Sequence, residues 1–135
     1  MEKTRIVVDT NIIANAIRKG GNYSSKSRCL LRDIYKHKYE VYISSSILDE
    51  YKRVLYGYRR IDPSKIARAL WFWWIKRYAI FIEPLPTIQK DVQMHDEDDR
   101  VFFDVAKCVK AKLITRNYKD YPVHELVTLI SELYP

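Results

Sequence analysis

Short apolar runs alternate along this chain with longer stretches in which apolar residues recur at helical spacing. Residues 5–8 (RIVV) form a β-branched run between polar neighbours, which predicts a buried strand. Asp9, Thr10 and Asn11 then offer capping side chains ahead of IIANAIRK, a helix that Gly20 and Gly21 are expected to stop. After a restart over residues 22–25, residues 27–38 place Leu30, Leu31, Ile34 and Tyr35 on one helical face. Residues 40–44 (EVYIS) read as a second strand. The serines at 44–46 suit the N-cap of a third helix, whose face carries Ile47, Tyr51, Val54 and Leu55. Asp62, Pro63 and Ser64 open a fourth helix through Ala67, Leu70, Trp71 and Trp74. Residues 79–83 read as a strand ended by Pro84 and Pro86. Residues 98–110 form an amphipathic helix with Val101, Phe102, Val105, Ala106 and Val109 on its stripe. Residues 113–115 form the next strand, and residues 127–130 suit a last strand or, equally, a helix.

Strands that alternate with helices predict an α/β fold: three α/β/α layers around a short central parallel sheet, in one domain over residues 1–135. Ligands of such sheets bind beyond the carboxyl ends of the strands. Asp9 and Asn117 each follow a predicted strand, so the topology brings both to the same edge.

Composition narrows the partners. The chain carries 24 Lys and Arg against 17 Asp and Glu, a net charge of +7. Several acids are packed into residues 96–99, which leaves the remaining surface more basic still. That balance favours a polyanion such as nucleic acid, the alternative being a solvated surface that only confers solubility. Apolar residues at 47% exclude a disordered chain. No apolar run approaches the roughly 20 residues of a membrane span. The first residues lack the apolar core of a signal peptide, so a cytoplasmic location is expected. Cys29 and Cys108 lack C-x-x-C spacing, which argues against zinc, and both are expected on apolar helix faces.

Candidate chemistry lies in acids far apart in the sequence. Asp9 closes the first strand, Glu50 sits in SSSILDEYKRVL, Asp99 opens DRVFFDVAKC, and Asn117 and Asp120 follow LIT. Two like charges about 5 Å apart cost roughly 3 kcal/mol at an effective dielectric near 20. Gathered carboxylates therefore rise in pKa or bind a hard cation such as Mg²⁺ or Mn²⁺. Each acid also has a plainer role: Asp9 as an N-cap, Glu50 as a solvated helix residue, Asp99 as a first-turn dipole partner, Asn117 as a turn residue.

The ordered set VVDTNIIANAI, SSSILDEYKRVL and DDRVFFDVAKCVKAKLITRN resembles a PIN domain, with the likeness running over roughly residues 4 to 130. PIN domains include the Mg²⁺/Mn²⁺-dependent ribonucleases known as VapC toxins of toxin–antitoxin pairs. The resemblance implies Asp9, Glu50 and Asp99 as metal ligands and, with Asn117, as the catalytic set. Asn11, Thr115, Asp120 and Asp96 support it, and Asp98 is expected to cap the next helix. The family places an Asp 16 residues before the Thr of the following strand, as Asp99 stands before Thr115. It usually reads T-x-D there, whereas this chain reads Thr115-Arg116-Asn117; the amide keeps an oxygen and loses a charge. The implied function is endoribonuclease action on RNA, in which a divalent ion activates water and neutralises charge on the phosphate. The alternative is a catalytically weakened module that binds RNA or protein.

Around these acids, Arg18, Lys19, Arg116 and Lys119 are candidate RNA contacts, with Lys26 and Arg28 also near the first motif. His95 is a candidate for proton transfer. Trp71, Trp74 and Tyr78 are expected to face the core or a second subunit. The resemblance further implies a homodimer and an antitoxin protein as partners. A phospho-receiver is disfavoured because Asp9 is followed by Thr and Asn, and dinucleotide binding because no G-x-G-x-x-G is present.

Overall fold

The computed structural model describes residues 2–21, 25–57, 63–88, 90–121 and 125–135. Residues 22–24 of the expected restart and Asp62, at the expected opening of the fourth helix, lie outside the described residues. Among the described residues the chain runs β1 (Thr4–Val8), α1 (Thr10–Ala16), α2 (Lys26–Tyr35), β2 (Tyr39–Ile43), α3 (Ser45–Gly57), α4 (Lys65–Tyr78) and β3 (Ile80–Phe81). It continues through a 3₁₀ turn (Glu97–Asp99), α5 (Arg100–Val109), β4 (Lys112–Thr115), a second 3₁₀ turn (Tyr118–Asp120), β5 (Val127–Leu129) and α6 (Ile130–Leu133).

The strands form one all-parallel sheet in the order β3-β2-β1-β4-β5, flanked by helices. Its register is set by Ile6 opposite Val41 on one side of β1 and by Val8 opposite Ile114 on the other. The order changes direction at β1, so the carboxyl ends of β1 and β4 make the switch point where parallel sheets open a crevice. The Asp9 N–H extends this ladder to Ile114 O at 3.0 Å.

The core explains these elements. Ile6, Val7, Val8, Leu113 and Ile114 are fully buried, as expected of parallel strands covered on both faces. Tyr51 of α3 meets Trp71 of α4 edge-on at 5.6 Å and Phe102 of α5 at 5.9 Å, so one ring ties three helices. Its hydroxyl donates to Val8 O at 2.6 Å, pinning the end of β1. Ser44 Oγ accepts from Ile47 N, as the serine run predicted.

Several boundaries differ from the sequence reading. The first helix ends at Ala16, short of the glycines, because its last carbonyls find other donors: Arg28 Nε reaches Ala16 O at 3.1 Å and Ser64 N reaches Ile17 O at 2.9 Å. The second helix stops at Tyr35, before His37 takes a left-handed backbone at φ 60°, and α5 stops before Lys110 at φ 56°. The strand expected over 79–83 keeps only two residues. Glu83 turns instead to α3, accepting from Ser45 N at 2.8 Å and Ser45 Oγ at 2.7 Å. The last segment is both things the pattern allowed, a three-residue strand followed by a helical turn. Cys29 is only partly buried and Cys108 is exposed, so neither is the core residue expected. Trp71 and Trp74 are buried, while Tyr78 packs against Trp74 with a little under half of its surface exposed. Among the described residues no helix is long and apolar enough to cross a membrane.

Candidate functional site

At the switch point, Asp9, Asn11, Glu50, Asp96, Asp98, Asp99, Asn117 and Asp120 line one cleft of about 780 Å³, with Arg18, Arg53 and Arg116 at its walls. Each acid arrives by a different route. Asp9 stands where β1 becomes α1, in the N-cap position, yet its carboxylate makes no capping hydrogen bond. Thr115 Oγ1, at the tip of β4, instead donates to Asp9 Oδ2 at 3.0 Å, and both residues are buried. Glu50 projects from α3. Asp99 sits at the junction of the 3₁₀ turn with α5, again without a capping bond from its side chain. Asp99 therefore does not fill the plain capping role open to it, while Asp9 is turned chiefly to Thr115, with the Asn11 backbone N–H near enough to lower its pKa.

Charge at the site is out of balance. Burial pushes the Asp9 carboxyl up to about 6, with the Thr115 hydroxyl pulling against it and the Asp120 charge adding to it. Asp99 is pushed to about 8, first by burial and then by the charges of Asp9, Asp120, Asp96 and Glu50. Asp120 rises by burial and by Asp96, against the nearby His95. These acids therefore act on one another's ionisation, a condition that a bound cation relieves.

Two further buried hydroxyls lie close to Asp9. Tyr121 is 2% exposed, and its hydroxyl is close enough to Asp9 for each to perturb the other's ionisation, short of a formed hydrogen bond. The Thr10 hydroxyl is also buried without a protein partner. Hard carboxylate and amide oxygens, together with the buried Thr10 hydroxyl that lines the cleft, fit a magnesium- or manganese-sized ion with part of its hydration shell. Among the described residues, however, no three acidic, His or Cys side chains close on one point tightly enough to be a ready ligand set. Glu50 is instead turned to Arg53, accepting hydrogen bonds of 3.0 and 2.9 Å.

The supporting residues divide. Asn117 lines the cleft, but its Oδ1 accepts from Lys119 N at 2.9 Å, capping the second 3₁₀ turn. Asp96, not Asp98, caps the turn before α5, by accepting from Asp98 N at 3.0 Å. Asp98 pairs with Arg53 at 3.6 Å instead of capping a helix, because that turn already has its acceptor. Of the basic candidates, Arg18 and Arg116 reach the cleft. Lys19 lines a separate pocket with Arg28 and Tyr35, and Lys119 is outside the cleft lining. Sequence reading missed Tyr121, which carries no motif and depends on a contact with a strand tip more than a hundred residues earlier. It also missed the part played by Arg53, whose only signal is its i,i+3 spacing from Glu50.

Comparisons with known proteins agree with this fold. No curated protein matches the chain. A crystal structure of VapBC2 from Rickettsia felis, bound to a DNA fragment from their promoter, shares the fold at a TM-score of 0.57. The two are 18% identical, and the match covers 93% of this chain and 97% of that one. The family model described as PIN domain matches residues 5–119. That span runs from within β1 into the second 3₁₀ turn and takes in every acid of the cleft except Asp120, and this chain belongs to the PIN-domain family.

Proposed function

We propose that the chain is a Mg²⁺- or Mn²⁺-dependent endoribonuclease that hydrolyses RNA phosphodiesters at the acid-lined cleft. The observation that carries the reading is the convergence of Asp9, Glu50 and Asp99, from three separate elements, on one cleft beside Arg18 and Arg116. Asp9, Glu50 and Asp99 hold the ion, and the ion when bound supplies Lewis-acid activation of water and phosphate. Thr115 keeps Asp9 oriented and, by donating to it, keeps it more acidic than burial alone allows. Asn11, Asn117, Asp120 and Asp96 support the ligands through solvent or outer contacts. Arg18 and Arg116 receive backbone phosphates on either side of the cut; Lys19 and Lys119 contact RNA further along.

The VapBC likeness supports a toxin of a toxin–antitoxin pair, with an antitoxin protein as partner. An apolar stripe on α4, with Ile66, Leu70 and Trp73 exposed, is consistent with a covered face in a homodimer.

A second reading, a catalytically weakened module that binds RNA or protein, is favoured by one observation. The Asn117 oxygen that would face the ion is engaged with the Lys119 amide. Labelled single-stranded RNA with Mn²⁺, with and without chelator, separates the two. Cleavage that chelator and Asp9→Asn both abolish supports the nuclease; equal cleavage by Asp9→Asn sinks it, and RNA binding without cleavage selects the module.

A further inference from the structure

Arg53 stands one turn after Glu50 on α3, inside the acid-lined cleft. Its guanidinium forks the Glu50 carboxylate, Nε to Oε1 at 3.0 Å and Nη2 to Oε2 at 2.9 Å, and the same Nη2 lies 3.6 Å from Asp98 Oδ2. Among the described residues its hydrogen bonds go to Glu50 alone. A planar guanidinium matched to both oxygens is the strongest form of such a pair, because two parallel charge-assisted bonds fix its geometry. The pair is also lopsided. The Glu50 side chain is 18% exposed, whereas those of Arg53 and Asp98 are 55% and 62% exposed. The carboxylate is thus held in the cleft, and the cation that neutralises it is free to leave toward solvent.

Given the proposed metal role of Glu50, on which this argument rests, that arrangement has a consequence. An incoming dication meets a carboxylate whose two oxygens already carry N–H donors and a full positive charge. It must displace the guanidinium or bind against its repulsion. We infer that Arg53 sets the affinity of this cleft for divalent ions, as a resident cation that Glu50 exchanges for the metal. Asp98 gives the released guanidinium a second carboxylate, so the exchange does not strand a charge. Both side chains are exposed, so removing the guanidinium is expected to leave the fold intact.

The test is Mn²⁺ binding by calorimetry, with the free-ion electron paramagnetic resonance signal as a second readout, on the full chain without RNA. Arg53→Gln is expected to bind Mn²⁺ about fivefold tighter, the scale of a partly exposed bidentate pair. In a Glu50→Gln background the same change is expected to alter affinity by less than about twofold, because the exchange partner is gone. Unchanged or weaker binding by Arg53→Gln, with wild type binding normally, overturns the inference and leaves the metal site standing. A gain of equal size in the Glu50→Gln background also overturns it, since it shows simple repulsion in place of exchange. Wild-type chain that binds no Mn²⁺ overturns both this inference and the proposed function.

Discussion

Thr115 Oγ1 donates to Asp9 Oδ2 across 3.0 Å, joining the tips of two adjacent parallel strands whose residues are 106 apart in sequence. The bond does two things at once. It satisfies one oxygen of a carboxylate that is 2% exposed, and it lowers a pKa that burial raises. Thr115→Val keeps the shape and removes the donor. The expected loss of stability at pH 7 is about 1–3 kcal/mol, the cost of leaving a buried charged acceptor unpaired. With Asp9 less ionised, Mn²⁺ binding weakens too. Thermal unfolding and a Mn²⁺ titration of the variant check both effects.

Stability should depend on pH in an unusual direction. Asp9, pushed up to about 6, and Asp99, pushed up to about 8, both hold protons in the folded chain that an unfolded carboxyl near 3.8 releases. A raised folded value means stability present at low pH and lost as pH climbs from about 4 to about 8. In chelator, the melting temperature is expected to fall across that window, with Asp99 responsible for the upper part. Asp99→Asn should flatten the decline above pH 6 and raise the melting temperature at pH 8, while abolishing cleavage. Mn²⁺ should restore wild-type stability at pH 8 and leave Asp99→Asn unmoved. A melting temperature that rises with pH in chelator contradicts the charge balance described.

Asn117→Asp should restore a charge without disturbing the turn, because an Asp oxygen can accept from the Lys119 amide as Asn117 Oδ1 does. Mn²⁺ affinity is expected to rise roughly tenfold, about 1.4 kcal/mol, and RNA cleavage to rise with it. In chelator at pH 8 the same variant should be less stable, since another like charge joins the cleft. Calorimetry and a cleavage time course decide this; unchanged affinity means residue 117 serves the turn alone.

Arg18 and Arg116 are the two RNA-contact candidates that reach the cleft. Replacing both with Gln should lower affinity for single-stranded RNA and flatten its salt dependence by about 1.4 in log–log slope, near 0.7 per phosphate contact. Lys19→Gln and Lys119→Gln should change that slope less. Fluorescence anisotropy in EDTA over a salt series measures it; an unaltered slope in the double variant moves the RNA path elsewhere.

The parts of the fold visible in the sequence are those governed by local pattern. The β-branched run before Asp9, the serines before Ile47 and the stripe from Val101 to Val109 each signal their element through neighbouring residues. The alternation of these elements then places Asp9 and Asn117 at one sheet edge. Boundaries set by distant partners were not legible. α1 ends early because Arg28 and Ser64 claim its final carbonyls, and the third strand is cut short because Glu83 is drawn to the start of α3. The same holds within the site. The acids could be gathered from order and spacing, but the Tyr121 hydroxyl beside Asp9 and the Arg53 fork on Glu50 depend on side-chain direction in three dimensions.

Because β1 lies in the middle of the sheet and is hydrogen-bonded along both edges, Asp9 stands on backbone that cannot open without parting its neighbours. Amide protons of Ile6 to Val8 should therefore be among the slowest in the chain to exchange with deuterium, released only when the whole domain unfolds. The short outer strand β3, paired on one side only among the described residues, should exchange far sooner. The acid at the heart of the cleft is thus anchored to the most persistent part of the molecule, while the exposed guanidinium of Arg53 is the part left to move.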